Sequence, residues 1–332
     1  MTRVLAGDVG GTKTLLALAE PAGESVRIVK ETLFPSPRYP GLAPIVVEFL
    51  KDAGEPVAAA CFGLPGPVLN GECRTPNLPW FLTQETLARE TGLVNVRLIN
   101  DFAAAAMGVL VLPDEAFVSL QAGHAEPHGT RAVIGAGTGL GQAVLIWDGQ
   151  RYRPIATEGG HGGFAPQGEL QRELGAYLES SHSPVSVERA VSGPGLARIY
   201  RFLVEKGVST WPEVAEAIGR EDPGKVIARH ALAKDDLACE QALDLFVRVY
   251  GSEAGNMALR TLATGGVYLG GGIAPKILPK LQDGAFLEAF RSKGRMRELM
   301  GRIPVRVVLE QRAGLLGAAL EAVLTAASAQ GR

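Results

Sequence analysis

Residues 5 to 18 read LAGDVGGTKTLLAL. An apolar run meets Gly7, Asp8, Gly10, Gly11 and Thr12 in quick succession, and a second apolar run follows at once. Glycines let a chain turn tightly and leave backbone N–H groups open to close approach. The flanking runs are short and aliphatic, so they read as two strands joined by a turn. SVRIVKETL, from Ser25, alternates in its first half and reads as a third strand.

The device recurs. RAVIGAGTGLGQAVLIWDGQ, residues 131 to 150, is again an apolar strand, a Gly/Thr turn and an apolar strand. A third glycine cluster follows a short strand in GGVYLGGGIAP, residues 265 to 275. Between these landmarks, YPGLAPIVVEFLKDAG reads as a helix ending at Gly54, and PVAAACFGLPGPV as a buried strand running into a loop. LTQETLARETG reads as a short helix with Thr83 as its N-cap. NVRLIN is a strand that delivers Asn100 and Asp101 to its C-terminal end, where a helix begins. Residues 168–264 are mainly helical, with a long candidate from Asp235 to Ala263. IPVRVVLE is a late strand, AGLLGAALEAVLTAA a helix and SAQGR a frayed tail. Strands then helices, twice over, give an α/β fold with two lobes.

Composition agrees. The 332 residues are 46% hydrophobic and 20% charged, enough apolar material for the cores of two domains. A net charge of −2 provides no general attraction to nucleic acid or an anionic membrane. Gly makes up 42 of the 332 residues, about 13% against a usual 7% or so. With this apolar content the excess belongs to special turns. The three cysteines, Cys61, Cys73 and Cys239, are scattered, which suits neither a disulfide scaffold nor a zinc site. The N-terminus has no signal-type apolar segment, and the longest apolar run, Phe102 to Leu112, is too short to span a bilayer. A cytoplasmic location is expected.

What are the turns for? GDVGGTKT has the length of a Walker A loop, but Thr12 stands where the second Gly must be, and strand rather than helix follows. GAGTGLG fails as a dinucleotide fingerprint because Leu140 takes the third glycine position. A plain hairpin turn would explain either loop alone. Two such loops and a third cluster argue for a shared purpose. Open backbone N–H groups and the hydroxyls of Thr12 and Thr138 suit a polyphosphate. Asp8 would repel phosphate, so a carboxylate there is best explained by Mg²⁺, held directly or through water.

Six stretches in order, GDVGGT, LINDFAA, GAGTGLG, EGGHGGFAP, SVERAVSGPGL and GGVYLGGGIAP, together resemble the bacterial glucokinase family of the actin/hexokinase-like ATPases. The resemblance spans nearly the whole chain. One departure is Lys13, where the best-known members carry Asn. The resemblance implies a two-lobed fold with an interlobe cleft: a small lobe of residues 1–110 plus 302–332 and a large lobe of 111–301. It implies transfer of phosphoryl from MgATP to the 6-hydroxyl of glucose, the first step of glycolysis, with Asp101 as catalytic base. A sugar hydroxyl is about as weak an acid as water, roughly pKa 16, so it needs an acceptor as it attacks. From the residues alone Asp101 reads first as a helix N-cap, and the resemblance reverses that order.

By the same resemblance, Asn100, Asp101, Glu158, His161 and Glu188 hold the sugar hydroxyls. Gly7, Asp8, Gly10, Gly11, Thr12, Gly137, Thr138 and Gly139 hold the ATP phosphates, and Gly270 and Gly271 lie against adenosine. VERAVSGPG could also be an ordinary helix with a surface Glu ending near Ser192. The related ROK sugar kinases follow a similar Gly-His segment with clustered cysteines, but no Cys lies between Cys73 and Cys239, so no zinc is expected. A kinase for another hexose and a non-enzymatic, sugar-responsive regulator are the competing functions. A homodimer is left open.

Overall fold

The computed structural model describes residues 2–51 and 56–330. Strands β1 (Val4–Val9) and β2 (Thr14–Ala22) flank the first glycine turn, and β3 (Ser25–Phe34) follows. Next come α1 (Leu42–Leu50), β4 (Ala59–Leu64), β5 (Glu72–Arg74), β6 (Phe81–Thr83), α2 (Gln84–Thr91), β7 (Val96–Asn100) and α3 (Asp101–Val109). The second repeat gives β8 (Phe117–Gln121), β9 (Arg131–Ala136), β10 (Leu140–Trp147) and β11 (Tyr152–Thr157). A helical stretch holds α4 (Gly168–Glu179), α5 (Gly193–Glu205), α6 (Pro212–Arg220), α7 (Pro223–Ala233) and α8 (Leu237–Thr261). The chain closes with β12 (Gly266–Gly270), α9 (Leu278–Leu281), α10 (Ala285–Arg291), α11 (Arg297–Arg302), β13 (Val305–Val308) and α12 (Ala313–Gln330).

By contacts the chain divides into two compact units. The first takes Met1–Ala116, Ala143–Thr157 and Glu310–Arg332; the second takes Phe117–Gln142 and Glu158–Leu309. The fold is mixed α/β, as expected.

In the first unit a five-stranded sheet runs β3-β2-β1-β4-β7. Strands β1, β4 and β7 are parallel, and β2 and β3 return antiparallel. Both faces are covered, and side chains alternate between them. Leu5, Leu16 and Phe62 face Leu42, Ile45 and Phe49 of α1. Val4, Ala6 and Cys61 face Ala104 of α3 and Leu315, Ala318 and Ala322 of α12. The second cover is thin because α3 and α12 cross on small residues. A Cβ on Gly317 would stand 1.7 Å from the Ala104 carbonyl oxygen, and one on Gly108 2.0 Å from that of Ala313.

In the second unit β9, β12 and β13 are parallel and β8 closes antiparallel on β13. Helix α8 is buried along most of its length. The Tyr250 hydroxyl donates to the Ile134 carbonyl of β9 at 3.1 Å, and burial pushes that phenol well up.

Three local expectations shift. The helix read as ending at Gly54 is helical through Leu50, and its expected end lies outside the described residues. The tail read as frayed is helical through Gln330, because the alanines of α12 continue a strong helix former. Ser192 begins a helix instead of ending one: its hydroxyl accepts from the Gly195 N–H at 3.1 Å, and Glu188 stands on a separate 3-10 turn, Val187–Arg189. The Thr83 cap stands as expected, accepting from the Thr86 N–H at 3.0 Å.

Candidate active site

In the first unit the sheet register sets Asp8 opposite Gly63, and Leu64 opposite Asn100. Asp8 and Asn100 thus both stand at the C-terminal edge of the parallel strands, where α/β folds gather ligands. Asn100 is the N-cap of α3: its Oδ1 accepts from the N–H groups of Phe102 (2.9 Å) and Ala103 (3.1 Å). Its Nδ2 donates to the Gly66 carbonyl at 3.1 Å. The cap is therefore Asn100, and Asp101 occupies the first helical turn, half-buried, with Oδ1 accepting from Phe102 N–H at 2.8 Å. Gly63 lets the helix start come close: a Cβ on it would lie 3.1 Å from that of Ala104 and 3.6 Å from the Asp101 Cα. Burial, then the negative charge of Asp101, push the Cys73 thiol up.

Burial raises the Asp8 carboxyl above the ordinary Asp range. The carboxylate lies against the first turn of α12, 3.4 Å from where a Gly314 Cβ would stand. Among the described residues no cluster of three or more His, Cys, Asp or Glu could hold a metal alone. Mg²⁺ asks less: one or two carboxylates, with substrate phosphates and water completing the shell. A desolvated carboxylate at a glycine turn is such a donor, so Asp8 fits.

The first turn is narrower than the sequence suggested. Gly7 sits inside β1, buried, where a Cβ would press Phe62 at 2.5 Å and Leu16 at 2.9 Å; its smallness serves packing. The turn proper is closed by the Gly10 N–H donating to the Lys13 carbonyl at 2.9 Å. That bond uses the backbone of Lys13, so the departure to Lys leaves the closure intact. Ser36, which the sequence did not single out, braces the turn. Its hydroxyl donates to the Gly10 carbonyl (2.7 Å) and lies 2.9 Å from the Thr14 hydroxyl, and its N–H donates to the Thr12 carbonyl at 3.1 Å. Gly11 lies against Asn77, whose Cβ would be 2.8 Å from an added one.

In the second unit Gly137, Thr138 and Gly139 link β9 to β10, with Thr138 exposed. Glu158 and His161 flank a 3-10 turn, Gly159–His161; His161 Nε2 lies 3.8 Å from Glu158 Oε2, and both side chains face solvent. This segment pairs with the one carrying Glu188. Phe164 N–H donates to Val185 O (2.9 Å) and Val187 N–H to Gly162 O (2.8 Å). Glu188 Oε2 accepts from the Leu140 N–H at 2.8 Å. The three sugar-candidate side chains of this unit therefore stand on neighbouring stretches of backbone beside the second turn.

A cavity of about 670 Å³ opens beside Gly137 and Thr138, a volume suited to a nucleoside-sized ligand. Gly270 ends β12, and Gly271 turns the chain in the left-handed region (φ 76°) where a Cβ would meet the Ala136 carbonyl oxygen at 2.6 Å. The next two residues, Gly272 and Ile273, reach the cavity wall. The far wall was missed by the sequence reading: Arg198 and Arg201 of α5, Lys225 of α7, and Lys276. The visible signal was the pair of Pro-Gly steps opening α5 and α7, Pro194-Gly195 and Pro223-Gly224, which mark helix starts but not their meeting.

Two mixed sheets, each opening a glycine turn after a leading strand, define an α/β sugar kinase with the actin-like ATPase fold. A family model described as glucokinase matches residues 5–325, and the chain belongs to the glucokinase family. A glucokinase of Nostoc sp. is 45% identical over 337 residues, covering 96% of this chain and 98% of that protein. The crystal structure of a glucokinase from an Antarctic psychrotroph superposes with a TM-score of 0.85 at 30% identity, covering 98% of this chain and 99% of that one. A ROK family glucokinase of Streptomyces griseus, solved with glucose and AMPPNP, shares the fold at a TM-score of 0.65 and 23% identity, over 97% and 99% of the two chains. Among the described residues no helix is long and apolar enough to cross a membrane.

Proposed function

We infer that the protein is an ATP-dependent glucokinase in which Asp101 accepts the proton of the glucose 6-hydroxyl as that oxygen attacks the γ-phosphorus and the bond to the β,γ-bridging oxygen breaks, giving glucose 6-phosphate and ADP. The observation that carries the residue assignment is the division of labour at α3. Asn100 is the cap, accepting from the N–H groups of Phe102 and Ala103, and Asp101, which shares the Phe102 N–H, stands at the sheet's C-terminal edge. A carboxylate is too weak a base to remove the hydroxyl proton in advance; it orients the hydroxyl and takes the proton late. That suits the loose transition state of phosphoryl transfer. Glu158, His161 and Glu188 accept or donate hydrogen bonds to the remaining sugar hydroxyls, and the second amide hydrogen of Asn100 adds a donor. Both glycine turns cradle phosphates, and the cavity bordered by Thr138, Lys225 and Ile273 takes the adenosine. Mg²⁺ bound at Asp8, directly or through water, would neutralise charge on the phosphates. The reaction belongs in the cytoplasm, where MgATP is abundant and three buried free cysteines stay reduced. A coupled assay over a panel of hexoses tests the reading. Glucose should have the highest kcat/KM, with turnover dependent on added Mg²⁺; a higher kcat/KM for another hexose would overturn the assignment of substrate.

A further inference from the structure

The second glycine turn is held from outside itself, and the holding side chain is one already assigned to the sugar. Glu188 Oε2 accepts the N–H of Leu140, the residue that follows the turn, across 48 positions of sequence at 2.8 Å. The same oxygen fills the space beside Gly139: a Cβ there would meet it at 2.5 Å. Glu188 is itself pinned. The Ser192 hydroxyl donates to its carbonyl oxygen at 2.8 Å, and Ser192 is fixed in turn as the cap of α5. One residue further on, the Gly193 N–H donates to the Gly137 carbonyl at 2.8 Å, so the segment grips the turn at both ends. Leu140 is buried, and Glu188 supplies the acceptor for its N–H.

We propose that Glu188 has a second role, in which its carboxylate positions the Gly137–Gly139 turn for nucleotide phosphate, so that one side chain sets the affinity for both substrates. The sugar half rests on the reading given above; the nucleotide half does not. One oxygen is engaged by Leu140, and Oε1 is the oxygen offered to a hydroxyl. The turn is held through the acceptor oxygen rather than the charge, because a negative group beside a phosphate cradle repels the ligand. Amide and carboxylate therefore differ in a predictable way.

The test is binding of Mg·AMPPNP by calorimetry without any sugar, and of glucose without any nucleotide, on folded protein checked by circular dichroism. Glu188→Ala should weaken Mg·AMPPNP roughly five-fold or more, the scale of a buried hydrogen-bond partner removed. Glu188→Gln keeps an acceptor oxygen and should restore nucleotide affinity to the wild-type value or better. Gly139→Ala has an ordinary backbone conformation and displaces only the flexible end of Glu188, so it should fold, and it should weaken glucose several-fold although it lies on the nucleotide turn. Wild-type nucleotide affinity in Glu188→Ala, or an equal loss in Glu188→Gln, would overturn the positioning role. If Glu188→Ala loses nucleotide, Glu188→Gln keeps it and both bind glucose normally, the positioning role stands and the claim that one side chain serves both substrates falls.

Discussion

The two strand-turn-strand units of this chain share a pattern and differ in what holds them. The first turn is tied by its own hairpin and by Ser36, a neutral hydroxyl from the 3-10 turn that follows β3. It lies beside a half-buried carboxylate, Asp8, whose pKa desolvation raises. The second is tied by a charged side chain, Glu188, and by a helix start at Gly193, and it opens on a cavity walled by Arg and Lys. The lesson is that a repeated backbone device acquires its chemistry from its surroundings. A desolvated carboxylate suits a metal; a cation-lined cavity with a carboxylate strut suits the nucleotide and the sugar.

The sharpest break in this comparison is Asp101→Asn. It keeps the helix start, since Asn100 is the cap, and should keep the fold and glucose binding while lowering kcat by about 10²–10⁴. Steady-state kinetics with a melting curve decide it, and near-normal turnover would remove Asp101 from the base role.

Asp8→Asn should lower kcat about 10²-fold and raise the Mg²⁺ concentration needed for half-maximal rate. It should also stabilise the ligand-free protein at neutral pH. Burial raises the folded-state pKa of Asp8 above its unfolded value, so between those values the folded state binds more protons and stability falls as pH rises through the window. Above the window the cost is complete, and the neutral amide avoids it. The Tm advantage of Asp8→Asn at pH 7 should shrink as pH falls toward the ordinary Asp value of about 4. A pH-independent difference would detach the effect from titration.

Glu158→Gln probes the second unit. The wild type should prefer glucose over mannose and 2-deoxyglucose by roughly ten-fold or more in kcat/KM, since a site built for a hydroxyl penalises its loss or inversion. The variant should narrow that ratio mainly by losing glucose activity. An unchanged ratio would assign selectivity at that edge of the ring to other residues.

The smallest effect belongs to Ser36→Ala. It leaves the Gly10 carbonyl without its hydroxyl donor and should cost about 1–2 kcal/mol in urea unfolding, with a few-fold rise in KM for ATP. Stability and KM both equal to wild type would mean that the hairpin closes the first turn unaided.

Much of the first unit was legible because its signals are local. Strand alternation, the Thr83 cap and the helix start after Asn100 depend on residues close to one another in the chain, and their side-chain types set the backbone directly. The candidate site residues were named from motif order, and those motifs also carried the family, which the match over residues 5–325 established. Tertiary structure decided the rest. Only the packed sheet shows that Gly7 is small to admit Phe62. Only the folded chain brings Glu188 to Leu140, 48 positions away, or sets the Pro-Gly starts of α5 and α7 on one cavity. No local propensity encodes such contacts. They exist because the packed sheets fix where distant segments come together, and a hydrogen bond across such a span forms only after that packing has met its entropic cost.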